Sequence, residues 1–214
     1  MEASLLSVLA VGFVLGIKHA IEPDHVIAVS TIASQSKKLW RSSLAGVFWG
    51  IGHTMTLFIV GMVLIILKDE IPEGWAMSLE FLVGIMLVYL GMSAIFSWKH
   101  SHVHSKRGRS SYLKSMMIGF VHGLAGSAAM VLLTMSSVEQ AWQGAVYIFI
   151  FGIGTCMGML AFTTVLGIPF VTTKDNKIIN RSFTQLAGAV STLFGVYYMY
   201  NLGVNEGLFS IWFR

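Results

Sequence analysis

Apolar residues run along this chain in six long blocks, at roughly 4–35, 42–67, 77–97, 112–136, 141–167 and 182–203, separated by short polar stretches. Crossing a bilayer takes roughly 20 apolar residues per helix, so the blocks predict an all-α membrane protein with six transmembrane helices in one domain, 1–214. The first block is too long for one straight helix. From Ala3 to Gln35 it would measure about 50 Å at about 1.5 Å per residue, against a hydrocarbon core of about 30 Å. Pro23 lies in its middle, lacks a backbone donor and disfavours helix at Glu22, so a break is expected there, near the bilayer midplane.

Composition fixes the solvent. With 55% hydrophobic and 11% charged residues and a mean hydropathy of +0.74, the chain has too little charge to cover a soluble surface. The first block carries Lys18, Glu22 and Asp24 and lacks a small-residue cleavage site, so it reads as a retained span rather than a signal peptide. The single cysteine, Cys156, excludes an internal disulfide, a multi-cysteine metal cage and a two-cysteine redox relay on this chain alone. The net charge of +4 points to topology rather than to nucleic acid. Lys37, Lys38 and Arg41, then Lys99, Lys106, Arg107, Arg109 and Lys114, then Lys174, Lys177 and Arg181 fill the odd-numbered connections, with Asp175 their single acid. Asp69, Glu70, Glu73 and Glu139 fill the even-numbered ones against Lys68. That alternation predicts a multi-pass protein of the cell membrane with both termini outside and the basic loops in the cytoplasm.

The chain also repeats itself. Gly16-Ile17-Lys18-His19 is matched by Gly119-Phe120-Val121-His122, Gly50-Ile51-Gly52 by Gly152-Ile153-Gly154, and Gly84 and Gly91 by Gly188 and Gly195, at offsets of 102 to 104. Each half, about 4–97 and about 112–203, holds three spans, and an odd number of spans forces the second half to be inverted. The halves are joined by a His-rich basic loop, 98–111, expected in the cytoplasm. Such 3+3 inverted repeats carry substrate near the midplane, where broken helices free backbone groups. The point equivalent to Pro23 in the fourth span is Leu124-Ala125-Gly126-Ser127, so a second break is expected there. The pairs Gly12/Gly16, Gly46/Gly50, Gly119/Gly123 and Gly154/Gly158 are expected to let helices approach closely.

Chemistry concentrates in His19-Ala20-Ile21-Glu22-Pro23-Asp24-His25, an H-x4-D-H string, with His53 in the next span and His122 in the repeat. Ionisable groups at this depth cost a few kcal/mol on insertion scales and persist when paired or functional. Imidazole nitrogen suits nickel, cobalt, zinc and copper, whereas an all-oxygen site would suit magnesium or calcium. His19, Asp24, His25, His53 and His122 are therefore the candidate metal ligands, with Glu22, Thr54 and Ser127 as secondary candidates. Asp24 would either offset the charge of a divalent cation or orient a ligating ring. Lys18 and Glu22 would pair at i,i+4 or line an aqueous vestibule. The alternative reading of the same residues is a buried hydrogen-bond network that fixes helix packing.

These strings, together with Phe48-Trp49-Gly50-Ile51-Gly52-His53-Thr54, Gly119-Phe120-Val121-His122-Gly123-Leu124-Ala125-Gly126-Ser127 and Phe151-Gly152-Ile153-Gly154-Thr155, resemble the nickel/cobalt transporter family. The last two look most like its short, urease-accessory type. The resemblance covers most of the chain. It implies transition-metal transport, with the first-span His and Asp residues essential and His53 and His122 as further ligands, and Ni2+ or Co2+ as the transported substrate rather than a permanently bound cofactor.

His100, His102 and His104 form a second cluster in the third loop. There they would receive an imported ion for a cytoplasmic metal acceptor or sense one for export, although the neighbouring Lys106, Arg107 and Arg109 oppose a dication. No G-x-x-x-x-G-K-[ST] string occurs, so transport intrinsic to this chain would be driven by a gradient. Three rivals remain open at this stage. A membrane metalloenzyme would hold metal without moving it and usually needs more histidines. An amino-acid or thiol exporter would leave the four span histidines unexplained, and a metal-binding accessory subunit would serve a larger transporter.

Overall fold

A computed structural model describes residues 5–36, 38–67, 71–96, 112–125 and 140–213. Among these residues every regular element is helical. They are α1 (Leu5–His19), α2 (Pro23–Ser34), α3 (Leu39–Leu67), α4 (Glu73–Phe96), α5 over 112–125, α6 (Ala141–Thr172), α7 (Lys177–Tyr200), a π turn at Asn201–Asn205 and the short α8 (Leu208–Trp212). Helices α3, α4 and α6 are each long and apolar enough to cross a membrane, and α1 with α2, bent by 56° at their junction, make a fourth. Helix α7 has the length but opens with Lys177, Asn180, Arg181, Ser182, Thr184 and Gln185, which lowers its hydropathy below the others. Helix α5 is described over 14 residues, short of a span. Large apolar side chains such as Leu6, Val63, Tyr89, Val165 and Leu193 face outward, 50–78% exposed, an arrangement suited to lipid rather than water.

The break in the first block falls where proline dictates. Helix α1 ends at His19, Glu22 is extended (φ −63°, ψ 148°), and Pro23 occupies the first turn of α2, where a missing N–H leaves no bond unmade. The break expected at Leu124–Ser127 falls beyond the last described residues of α5, since Gly126 and Ser127 lie outside the described residues. Helix α7 begins five residues before the expected run, capped by the Asn176 side chain, which accepts from the Ile179 N–H at 3.2 Å. Beyond the π turn the chain reverses at Gly207, whose φ of 84° suits glycine, into α8. That last helix had no counterpart in the apolar pattern.

Backbone meets backbone at the glycines, and the contacts recur at the repeat spacing. A Cβ on Gly16 would strike the carbonyl of Phe151, and one on Gly119 would strike the carbonyl of Trp49. A Cβ on Gly52 would strike the Met116 carbonyl, and one on Gly154 the Phe13 carbonyl. Gly84 packs on Gly195 and Gly91 on Gly188, and between them Ser191 donates to the Leu87 carbonyl at 2.8 Å. Thus α1 lies against α6, α5 against α3, and α4 against α7, with α2 threaded among α3, α4, α6 and α7.

Side-chain hydroxyls stitch the same seams. Thr155 donates to the Gly16 carbonyl at 3.2 Å as well as to Phe151 at 3.1 Å, and Thr56 donates to Phe120 at 2.9 Å as well as to Gly52 at 3.1 Å. One such interhelical bond contributes about 0.6–1 kcal/mol. Thr155→Val is therefore expected to lower the thermal midpoint of the detergent-solubilised protein by only about 2–4 °C. A drop of ten degrees or more in a thermal melt would show that the hydroxyl does more than join α1 to α6.

Candidate metal centre

The break gathers the titratable groups. His19 is the last residue of α1, Glu22 stands immediately before α2 without a side-chain capping bond, and Asp24 and His25 lie in the first turn of α2. His53 sits midway along α3 and His122 in α5. His25, His53 and His122 are 1%, 0% and 2% exposed. The His25 ring centroid lies 4.0 Å from that of His122, 4.5 Å from His19 and 5.1 Å from His53. All five candidate ligands therefore form one cluster.

A carboxylate fixes one nitrogen on three of the four rings. His25 Nδ1 is 3.1 Å from Asp24 Oδ1, His122 Nε2 is 2.8 Å from Asp24 Oδ2, and His19 Nδ1 is 2.9 Å from Glu22 Oε2. In a neutral imidazole the nitrogen facing a carboxylate carries the proton and the other keeps a lone pair, which is how outer-sphere carboxylates orient metal-binding histidines. The freed nitrogens fit that pattern. Among the described residues His25 Nε2 and His122 Nδ1 are buried without a hydrogen-bond partner, and His19 Nε2 faces His53 Nε2 at 3.0 Å. Two groups of donor atoms lie close enough to share an ion, His19 with His25 and His53, and Asp24 with His25 and His122, each within 4.8 Å. Donors on one ion at bonds of about 2.1 Å lie at most about 4.2 Å apart, a spacing of the same order.

Glu22 joins the cluster through His19, at i,i+3, in place of the expected pair with Lys18. Thr54 does not join it. One residue beyond His53 the helix has turned by about 100°, and its hydroxyl donates to the Gly152 carbonyl at 3.4 Å with Cys156 Sγ 3.9 Å away. Ser127, His100, His102 and His104 lie outside the described residues.

Aromatic side chains bracket the cluster. Trp49, fully buried, stacks on His25 at 5.8 Å and lies 5.4 Å from His122, while Phe151 lies 5.5 Å from His19. On the Phe151 side a cavity of about 300 Å3 opens, lined by Lys18, His19, Glu22, Asp24, His25 and His122 and also by Glu80 and Tyr198. On the Trp49 side Ala28, Val29, Leu87 and Leu90 fill the space. Beyond them a cavity of about 150 Å3 carries Arg41 and Lys114 at the other end of the bundle. Charge bookkeeping over the loops overlooked Glu80, although it is the one charged residue in the apolar run 77–97. Its Oε2 accepts from the Tyr198 hydroxyl at 3.1 Å.

Comparison with known proteins gives these residues a context. The High-affinity nickel-transport protein family matches residues 5–97, which include His19, Asp24, His25 and His53. The Cytochrome C biogenesis protein transmembrane region matches residues 74–197, a stretch in which Cys156 is the sole cysteine. The chain is 61% identical to the urease accessory protein UreH of Bacillus sp. (strain TB-90), over 100% of its own length and 99% of the relative's. It is 27% identical to a putative nickel/cobalt efflux system of Methanocaldococcus jannaschii, over 86% of its length and 88% of the relative's. It is also 27% identical to the chloroplast protein FOR GROWTH AND FERTILITY 1 of Arabidopsis thaliana, over 73% of its length and 48% of the relative's. No solved structure matches. Identity along the whole length of the Bacillus protein, joined to the nickel-transport match over the broken helix and its histidines, makes this chain a member of the nickel/cobalt transporter family.

Proposed function

We propose that the chain is a gradient-driven permease of the cell membrane that carries Ni2+ or Co2+ past a site made by His19, His25, His53, Asp24 and His122. The observation that carries this reading is the pair His25 and His122, each held by Asp24 on one ring nitrogen and, among the described residues, buried without a partner on the other. A network built only for packing would satisfy both nitrogens. Asp24, holding two rings at once, acts chiefly as the orienting group and lends its charge to the ion. A donor set of imidazoles with one carboxylate suits a late first-row dication such as nickel or cobalt.

The architecture we infer is six spans in a 3+3 inverted repeat, about 4–97 and about 112–203, with both termini outside. It is supported by the reciprocity of the contacts. Gly16 against Phe151 and Gly119 against Trp49 are the same contact in each half, and in Gly84–Gly195 with Gly91–Gly188 each residue meets the repeat-mate of the other. A two-fold axis relates surfaces in that way. His19 beside Phe151 and His122 beside Trp49 are again one pair in two copies. The two aromatics would thus close the site from opposite sides, Trp49 shut here and Phe151 beside the open cavity. His100, His102 and His104 would pass the ion to a cytoplasmic acceptor.

Purified protein in proteoliposomes is expected to give saturable Ni2+ flux, competed more strongly by Co2+ than by Zn2+, and responsive to a proton gradient at fixed membrane potential. Metal binding without flux would replace the permease with an accessory metal-binding subunit. Flux indifferent to the proton gradient would remove the proton as the coupled ion.

A further inference from the structure

We propose that Glu80, with Tyr198, is a second cation-binding station, placed in the outer cavity ahead of the histidine cluster, where a hydrated divalent metal ion is captured before it sheds water and moves inward. The proposal rests on the permease reading and extends it to residues outside the H-x4-D-H string. Glu80 stands in the second turn of α4, about 10 Å from the start of that helix at about 1.5 Å per residue. A carboxylate that far into a span is costly to insert. Among the described residues no lysine, arginine or histidine lies within 4 Å of it to offset that cost.

Among the described residues its single hydrogen bond leaves most of its capacity unused. Tyr198 donates to Oε2, while a carboxylate accepts at about four lone-pair sites. If the pair only tied α4 to α7, glutamine would serve as well and avoid the charge. The cavity supplies the missing purpose. Among the described residues it holds Glu22, Asp24 and Glu80 against one lysine, Lys18, and its inner wall includes His25 and His122, each with a fully buried, unpartnered ring nitrogen. Low-dielectric walls of one sign focus the field and raise the local cation concentration.

Size and donor type agree with capture rather than final binding. About 300 Å3 holds about ten waters at about 30 Å3 each, room for a hexahydrated ion. Oxygen donors hold a late first-row dication less tightly than imidazoles do. A path that conducts needs an entry site weaker than the next one, so that the ion leaves inward.

The test compares wild-type, Glu80→Gln and Glu80→Asp proteins in proteoliposomes over a range of external Ni2+. Glu80→Gln is expected to raise the half-saturating Ni2+ concentration about tenfold, with a smaller change in maximal rate, and Glu80→Asp to recover most of the loss. Unchanged half-saturation in Glu80→Gln, even with a lowered thermal midpoint, would reduce the pair to a helix clamp and overturn the proposal. A second measurement does not depend on transport. In His25→Ala protein, weak Ni2+ binding by equilibrium dialysis should persist and disappear when Glu80→Gln is added. Binding that is absent in His25→Ala alone, or the same with and without Glu80, overturns the station. Absence of flux in the wild type would count against the permease only.

Discussion

His25→Ala is expected to reduce Ni2+ flux in proteoliposomes to that of empty vesicles and to weaken equilibrium Ni2+ binding by well over a hundredfold. His25 is the residue shared by both groups of donors that can close on an ion, so its loss leaves neither with three. The ring is also 1% exposed, stacked on Trp49 and part of the cavity wall, so the space it leaves lies between the packed side and the cavity. Asp24→Asn separates orientation from ligation. The amide keeps the size of the carboxylate and one acceptor oxygen, but its NH2 would face one of the two nitrogens that Asp24 now holds at 3.1 and 2.8 Å. One ring must then flip its tautomer or turn away. Loss of such an orienting partner costs about 10–100-fold in metal affinity, so Asp24→Asn should be impaired yet measurable where His25→Ala is silent. Wild-type flux in His25→Ala would sink the site, and a silent Asp24→Asn beside an active His25→Ala would make the carboxylate the principal ligand.

What could be read beforehand divides along physical lines. Pro23 announced the break because a missing donor and a restricted preceding residue act locally, and the structure puts the turn at residues 20–22. The intramembrane histidines announced themselves through the cost of burying them. That His25 rather than Asp24 would be the hub was not legible, because adjacent residues on a helix diverge, and only the geometry after the bend sets which atom meets which ring. Glu80 was present in the apolar run yet carries no motif, and its meaning comes from a cavity assembled by helices far apart in sequence. Thr54 shows the converse error. It stands beside His53, a candidate ligand, in sequence, but one step along α3 turned it to Gly152 and Cys156. Nor could hydropathy find α8, five residues long, or separate α7 from its polar opening.

Gly16→Ala, the smallest change a side chain allows, is expected to destabilise the protein by about 1–3 kcal/mol or more, and to lower the thermal midpoint by roughly 5–10 °C. The added methyl group would land on the Phe151 carbonyl, with the Thr155 backbone nitrogen 3.0 Å away, and backbone cannot rotate aside as the end of a side chain can. Helices α1 and α6 must part. The hydrogen bond from Thr155 to the Gly16 carbonyl then breaks, and His19, three residues further along α1, moves with it, so transport should fall more steeply than stability. Gly119→Ala tests the same contact in the other half, since its methyl group meets the Trp49 carbonyl and the displaced residue three positions on is His122. If the halves are inverted copies, the two variants should lose comparable stability. Gly74→Ala serves as the control, because its new methyl group would meet only the Ile211 side chain, 3.0 Å away at its nearest atom, and should leave the melt within a degree or two of wild type. A Gly16→Ala protein that melts and transports like the wild type would mean that α1 and α6 are less closely packed than the structure has them. A large loss for Gly16 with none for Gly119 would break the equivalence on which the inverted repeat, and with it the paired closing roles of Phe151 and Trp49, depends.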